Sequence, residues 1–169
     1  NGGSDLLGAG YLEKKHGPLP LGNPSAGIQN VKPAGYVDDN MFNKRLDAAK
    51  KFNKNFTADF PQKQVRAYTD LYDDATRLMK SNDLKAFDLT QEPQEIRDEY
   101  GDNNFGQGCL LARRLVSTGV RYVEVQLGGW DMHNDVFGNM ETRGATLDTG
   151  LATLLKDLDR RGLLKETMV

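Results

Sequence analysis

The 169-residue sequence is poor in several residue types, and each shortage excludes a class of protein. It has one cysteine, so it can form neither an internal disulfide nor a cysteine-based zinc site. Its two histidines leave few strong ligands for a transition metal. No apolar run approaches the ~18–20 residues that a membrane-spanning helix needs. The composition therefore predicts neither a membrane span nor a complete metal site in these residues.

Charge of one sign is also lacking. The 22 Lys and Arg residues nearly balance the 24 Asp and Glu residues, which gives a formal net charge of −2. A protein that follows a nucleic-acid backbone needs a basic surplus or stripe, so we predict no nucleic-acid partner. The first residues lack the basic and apolar regions of a signal peptide, and we predict no such signal in this sequence.

Glycine and proline are concentrated at one end. Residues 1–37 hold eight glycines and four of the six prolines. Proline removes a helix donor and glycine costs about 1 kcal/mol in a helix interior, so this segment is predicted to be an irregular arm, with a short strand near residues 28–31. Residues 38–169 are predicted to be a mainly helical part, whose first helix follows a cap at Asp38 or Asp39.

The apolar spacing in residues 38–169 predicts a series of helices and one strand. The helices are expected from Asp38, after Pro61, near 83–87, after Pro93, from Asn104 to Gly119 and from Phe137 to Arg161. Residues 120–127 alternate apolar and polar side chains and are rich in β-branched residues, which is typical of a strand.

One strand cannot satisfy its own backbone. We expect residues 120–127 to pair with the N-terminal arm, with another chain or with a sheet outside this sequence, and an exposed strand edge would favour self-association. The helix–strand–loop–helix order indicates an α/β fold. Residues 38–169 are therefore predicted to be an incomplete piece of a larger α/β domain.

The strongest functional candidate follows this predicted strand. Gly128 and Gly129 permit a sharp turn, and Asp131 and His133 lie two residues apart in the loop. Ligand sites of open α/β sheets lie beyond the carboxyl ends of strands, and a carboxylate with an imidazole suits Zn, Mn or Fe. A catalytic zinc needs three protein ligands, however. In the alternative reading Asp131 caps the following segment and His133 is a surface residue. Trp130 either walls a site or anchors the loop.

Other reactive residues receive structural interpretations. Cys109 lies on the apolar side of a predicted helix and is expected to be a buried, inert thiol. His16, beside two lysines, is expected to be exposed. Arg113 and Arg114 could reach an anionic ligand, but they are interpreted as solvated on a helix surface. The mixed charges of 156–161 are interpreted as the polar face of the last helix.

Several stretches together resemble one large bacterial family. They are Phe105–Val116, Gly119–Val123, Gly128–His133 and Leu154–Leu164, with further agreement at Ala86–Pro93 and Gly8–Leu12. The family consists of uncharacterised sulfatase-like proteins, a domain of unknown function in the alkaline phosphatase superfamily. The resemblance covers nearly the whole sequence and is strongest from Phe105 to Leu164.

The resemblance implies an alkaline-phosphatase-like α/β/α fold and a metal-dependent hydrolase of phosphoric or sulfuric esters. Asp131 and His133 match the family's Gly-Trp-Asp-x-His motif, which implies that they are ligands of a divalent metal such as Zn or Mn. No nucleophile is assigned. Family members often carry an export signal, which implies an exported parent protein. A piece with two ligands is expected to bind metal weakly and to be inactive. The alternative is a non-catalytic binding or scaffold protein that keeps the same fold.

Overall fold

The computed structural model describes residues 11, 16–29, 31, 33–60, 70 and 73–169. The chain divides into two compact units, of which the first contains residues 1–20 and 29–82 and the second residues 21–28 and 83–169. The described residues of both units form α-helices, short 3-10 helices and connecting loops, with no strand among them.

The described part of the first unit contains two antiparallel helical segments. Helix α1 spans Asp39–Asp59 and begins at the predicted cap, where the Asp38 carboxylate accepts a hydrogen bond of 2.7 Å from the backbone N–H of Met41. Residues 73–79 form α2. Lys50 lies 3.5 Å from Asp73 and Lys80 lies 2.9 Å from Asn43, so the two segments run in opposite directions. The predicted start of a helix after residue 61 lies outside the described residues.

The second unit contains three α-helices. Helix α3 spans Gln94–Glu99, α4 spans Asn104–Ser117 and α5 spans Val136–Arg160. Short 3-10 helices occur at Pro24–Ala26, Asn82–Phe87, Leu89–Gln91 and Leu163–Lys165. The predicted bounds of α4 and α5 are confirmed to within about one or two residues, a normal uncertainty at helix ends.

The core of the second unit forms around α4, which packs along α5. Every residue from Phe105 to Arg113 is buried, so α4 is surrounded on nearly all sides. The α5 helix contributes Leu154 and Leu158, and Tyr100 and Leu89 close the cluster from the preceding turns. Burying large apolar side chains contributes roughly 1.5–3 kcal/mol each, which makes this helix pair the main stabilising element of the unit.

The predicted α/β, alkaline-phosphatase-like fold is wrong for the described structure. Residues 122–130 form no helix, turn or strand, although residues 122–127 alternate between exposed and half-buried side chains as an extended chain does. Val123, Val125 and Leu127 pack against the helical core. The sequence pattern therefore specified the local conformation correctly, but a strand also requires a hydrogen-bonded neighbour, and none occurs in the described part of the chain.

The strand predicted near residues 28–31 is also wrong where it can be judged. Residues 28, 29 and 31 belong to bends, turns or irregular backbone, and residue 30 lies outside the described residues. Residues 21–28 belong to the second unit, where the ring of Pro24 approaches α4 at Gly108.

Candidate functional site

The loop that joins the extended segment to α5 is fixed by three interactions. The Leu127 side chain packs against the core, and its carbonyl accepts a hydrogen bond of 2.8 Å from the indole Nε1 of Trp130. The next carbonyl, that of Gly128, accepts a hydrogen bond of 2.6 Å from Nη1 of Arg143 on α5. Trp130 remains 41% exposed, so it closes the loop through its hydrogen bond without being buried in the core.

Gly129 is required in this loop for two separate reasons. Its φ of +82° lies in the left-handed region, where a residue with a Cβ atom is strained. A Cβ at this position would also overlap the guanidinium group of Arg143. The loop therefore turns directly under Arg143, which ties its path to α5.

Asp131 and His133 lie together beyond this turn. Oδ1 of Asp131 is 2.9 Å from Nε2 of His133, and the two side chains are 87% and 79% exposed. Helix α5 begins after Asp135, which has a left-handed backbone with φ of +44°, and no side chain caps it. Asp131 therefore does not act as the cap of α5.

This donor pair fits two positions of a metal site. A carboxylate oxygen and an imidazole nitrogen are ligands that zinc and manganese accept, and exposure leaves both side chains free to reorient. A third ligand is not supplied nearby: within the described ranges no group of three His, Cys, Asp or Glu side chains is arranged to hold a metal ion. The assignment of Asp131 and His133 as metal ligands stays a prediction.

A shallow crevice of about 260 Å³ lies beside the loop. Its lining residues include Leu127, Arg143 and Asn103, the N-cap residue of α4. Thr142 and Thr146 on α5 also line it, and each hydroxyl donates to a carbonyl one turn earlier in the helix. The crevice therefore combines the guanidinium of Arg143 with amide and hydroxyl groups, and it borders the loop at Leu127.

The sequence interpretation missed a buried cluster of charged residues in the same unit. Arg113 is 4% exposed, and its Nη2 donates to Oε2 of Glu92 at 2.7 Å. Its Nε lies 3.0 Å from Oδ2 of Asp157, without the geometry of a hydrogen bond. Arg114 also binds Glu92. The expectation that both arginines are solvated is therefore wrong.

Asp157 links this cluster to the end of α5. It is 2% exposed and accepts hydrogen bonds from the Tyr100 hydroxyl at 3.1 Å and from Arg160 and Arg161 at 2.8 Å each. Burial acts to raise the pKa of Asp157, but the hydrogen bonds from Arg160 and Arg161, together with the charge of Arg113, lower it below its usual value. Asp157 is therefore ionised and paired, and it belongs to the core.

The pKa of Glu92 follows the same pattern. Burial opposes ionisation, yet the hydrogen bonds and charges of Arg113 and Arg114 bring the pKa of this carboxyl below its usual value. In contrast, burial raises the pKa of Tyr100 well above its usual value, and the charge of Asp157 adds to the effect. The Tyr100 hydroxyl therefore stays protonated and donates its hydrogen bond to Asp157.

Two further sequence expectations can be compared with the structure. Cys109 is 2% exposed, and burial raises the pKa of its thiol to about 11, so the prediction of a buried, unreactive thiol is confirmed. His16 is exposed, as expected, and belongs to the first unit.

Comparison with models of protein families matches residues 1–169 to the family described as "Protein of unknown function (DUF1501)". The chain belongs to this family. The resemblance to an uncharacterised family is thus confirmed, whereas the wider relation to the alkaline phosphatase superfamily is not shown. No curated protein and no solved structure matches the chain significantly. Within the described residues, no helix combines the length and the apolar character needed to cross a membrane.

Proposed function

We propose that Asp131 and His133 are two ligands of a divalent metal, zinc or manganese, in a hydrolase of phosphoric or sulfuric esters. The observation that supports this most directly is the 2.9 Å contact between an exposed carboxylate and an exposed imidazole. When bound, such a metal supplies Lewis-acid polarisation of an ester oxygen. The remaining ligands would come from polypeptide outside the described residues, in an exported parent protein.

The surroundings of the pair support this proposal. Arg143 holds the carbonyl of Gly128 and so limits where the loop can carry Asp131 and His133. Among the described residues it makes no other hydrogen bond, so its remaining N–H groups are free to face an anion in the crevice. A guanidinium group is well suited to the oxygens of phosphate or sulfate, which makes a small anionic ester the expected substrate class.

The metal proposal can be tested by NMR, because the chain carries a second histidine as an internal control. In a titration with MnCl₂, we expect the ring signals of His133 to broaden before those of His16. The substitution Asp131→Asn should remove this preference, whereas Asp148→Asn, which changes an exposed carboxylate on α5, should retain it. Equal broadening of the two histidines in the unchanged chain would contradict the proposal.

Calorimetry and activity measurements test how complete the site is. With two ligands, we expect the 169-residue chain to bind Zn²⁺ weakly and to leave 4-nitrophenyl phosphate and 4-nitrophenyl sulfate unhydrolysed. Sub-micromolar Zn²⁺ affinity that Asp131→Ala abolishes would show that further ligands are present in this chain. A longer natural polypeptide with these residues should hydrolyse one of the esters and lose that activity on His133→Asn.

A second candidate function is a non-catalytic binding or scaffold role. The specific observation in its favour is the extended segment from residue 121 to 126, whose backbone makes no hydrogen bond within the described part of the chain. In this proposal the exposed edge of the segment mediates self-association. Retained Mn²⁺ selectivity of His133 without any ester hydrolysis by the longer polypeptide would favour this candidate.

A further inference from the structure

We propose that Asn139 and Arg143, two residues of α5, are positioning residues for the candidate metal ligands. Together they form the α5 clamp, which holds both ends of the loop 128–134 and thereby fixes where Asp131 and His133 meet. The role toward a metal rests on the proposed function, whereas the clamp itself can be tested without metal.

The first argument is that the α5 clamp contacts the loop once at each end. Nη1 of Arg143 donates to the carbonyl of Gly128 at 2.6 Å. Nδ2 of Asn139 donates to the carbonyl of Asn134 at 2.9 Å. In the described part of the chain, no other hydrogen bond joins residues 128–134 to a helix. The path of the loop over α5 therefore depends on these two donors.

The second argument is that both donors come from one helix face. Residues four positions apart are neighbours on a helix surface, and Asn139 and Arg143 both line the crevice. Helix α5 packs along α4 in the core of the unit, so this face has a fixed position. Side chains carried by a packed helix hold a site more precisely than a loop can hold itself. One rigid element therefore sets both ends of the loop.

The third argument concerns the end of the loop that leads into α5. Asp135 has a left-handed backbone with φ of +44°, which is uncommon for a residue with a Cβ atom. Such a conformation persists only where neighbouring groups hold it. The backbone N–H of Asn139 donates to the carbonyl of Asp135 at 3.0 Å, and its side chain holds the preceding carbonyl, that of Asn134. Asn139 therefore fixes the direction in which the loop enters the helix.

The fourth argument is that Asp131 and His133 depend on the backbone that carries them. Their contact of 2.9 Å joins two side chains that are 87% and 79% exposed, and a contact so open to water contributes little to holding them together. Ligands that are already in place lose less conformational entropy when they bind. The α5 clamp supplies this order, because it fixes the loop on both sides of the two ligands.

Backbone ¹⁵N relaxation in the absence of metal tests the clamp. In the unchanged chain, we expect the order parameters of residues 131–133 to be close to those of α5. Arg143→Met and Asn139→Ala should each lower them below about 0.6, the range of flexible backbone, whereas Asp148→Asn should leave them unchanged. Unchanged order parameters in either clamp variant would overturn the inference.

The two clamp variants differ in their risk to the fold. Arg143 is half-buried, whereas Asn139 is exposed, and alanine at 139 keeps the backbone bond to Asp135. The helical circular dichroism of Asn139→Ala should therefore equal that of the unchanged chain. If Arg143→Met loses helical signal, the order parameters of Asn139→Ala decide the inference alone.

Titration of the same variants with MnCl₂ tests the positioning role. Each should reduce the preference of Mn²⁺ for His133 over His16, and Arg143→Met should do so more strongly, because a charged donor makes the stronger hydrogen bond. Loss of a positive charge would by itself draw Mn²⁺ closer, so a reduced preference reports position and not charge.

The two titration outcomes that contradict a proposal are distinguishable. A full preference for His133 in both variants would overturn the positioning role of the α5 clamp. Equal broadening of His133 and His16 in the unchanged chain would instead contradict the metal proposal, and the order parameters measured without metal would still decide whether the clamp holds the loop.

Discussion

The contacts of Arg113 with Glu92 and of His133 with Asp131, both in the second unit, are nearly equal in length and differ greatly in their surroundings. Arg113 meets Glu92 at 2.7 Å with side-chain exposures of 5% and 11%, whereas His133 meets Asp131 at 2.9 Å with exposures of 79% and 87%. In the buried pair, Glu92 also contacts Arg114, and Arg113 also contacts Asp157. In the exposed pair, neither residue has another hydrogen-bond partner among the described residues.

The difference separates a structural role from a functional one. Charges removed from water must be paired, so the Arg113 contacts are needed for the fold and are held in place by several neighbours. Water screens the exposed pair, which therefore contributes little to stability and stays free to exchange its partner for a ligand. Similar distances thus predict opposite responses to substitution.

The largest expected effect is on the buried cluster. Arg113→Met removes the cation between Glu92 and Asp157, and we expect it to lower the free energy of unfolding by about 3 kcal/mol, measured by urea unfolding. Arg121→Met serves as the control because Arg121 is exposed, and it should change stability by less than about 0.5 kcal/mol. Asp131→Asn should be equally mild. A large loss of stability with Asp131→Asn, or no loss with Arg113→Met, would contradict the assignment of a structural role to the buried pair alone.

Acid should produce the next effect. The pKa values of Glu92 and Asp157 are lowered below their ordinary values of 4.5 and 3.8, so the stability that they contribute is complete above those values. As the pH falls below 4.5 for Glu92 and 3.8 for Asp157, the unfolded chain binds protons that the folded chain does not, so this stability decreases. It is lost completely once the pH is below the lowered pKa values of the folded chain.

The contribution of other carboxylates can be removed by a difference measurement. The gap in unfolding free energy between the unchanged chain and Arg113→Met should be widest near neutral pH and should shrink toward about pH 3. A gap that stays constant over this range would mean that Arg113 acts through packing and not through charge.

The smallest of the three effects concerns the exposed loop. Gly129→Ala should cost about 1–2 kcal/mol, because alanine is strained at positive φ and its Cβ would displace Arg143 from the carbonyl of Gly128. Gly119→Ala shares the strain without the clash and should cost less, and Gly128→Ala has neither a positive φ nor a close neighbour. Only Gly129→Ala should also weaken Mn²⁺ broadening of His133. If all three substitutions lowered stability equally, the contact between residue 129 and Arg143 would not be the cause.

Local sequence patterns predicted the helical parts well. A cap was expected at Asp38 or Asp39, and Asp38 caps α1. The ends of α4 and α5 follow from Gly119 and Gly162, both at positive φ. The period-two pattern of residues 120–127 correctly indicated an extended chain with one packed face. These features depend on neighbours in sequence, which a pattern records directly.

Long-range pairing was where the predictions failed. The α/β fold required a second strand, and none lies beside residues 121–126 in the described structure. Arg113 was judged by its charge, although it lies at the end of the continuous buried run of α4. Asp157 was assigned to the polar face of α5, yet its spacing to Leu154 and Leu158 places it on the buried face. In both cases the position of the residue on its helix predicts burial better than the residue type does.

The sequence by itself determined the start of α1, the approximate bounds of α4 and α5, and that Cys109 is buried. It also determined the family to which the chain belongs. Tertiary structure decided which charges are buried, because the partners of Arg113 come from positions 21 and 44 residues away in sequence. It also decided that the segment at 121–126 is extended and that its backbone has no hydrogen-bond partner among the described residues. Side-chain period follows from local geometry, whereas the pairing of charges and of backbone edges depends on distant residues that only the folded chain brings together.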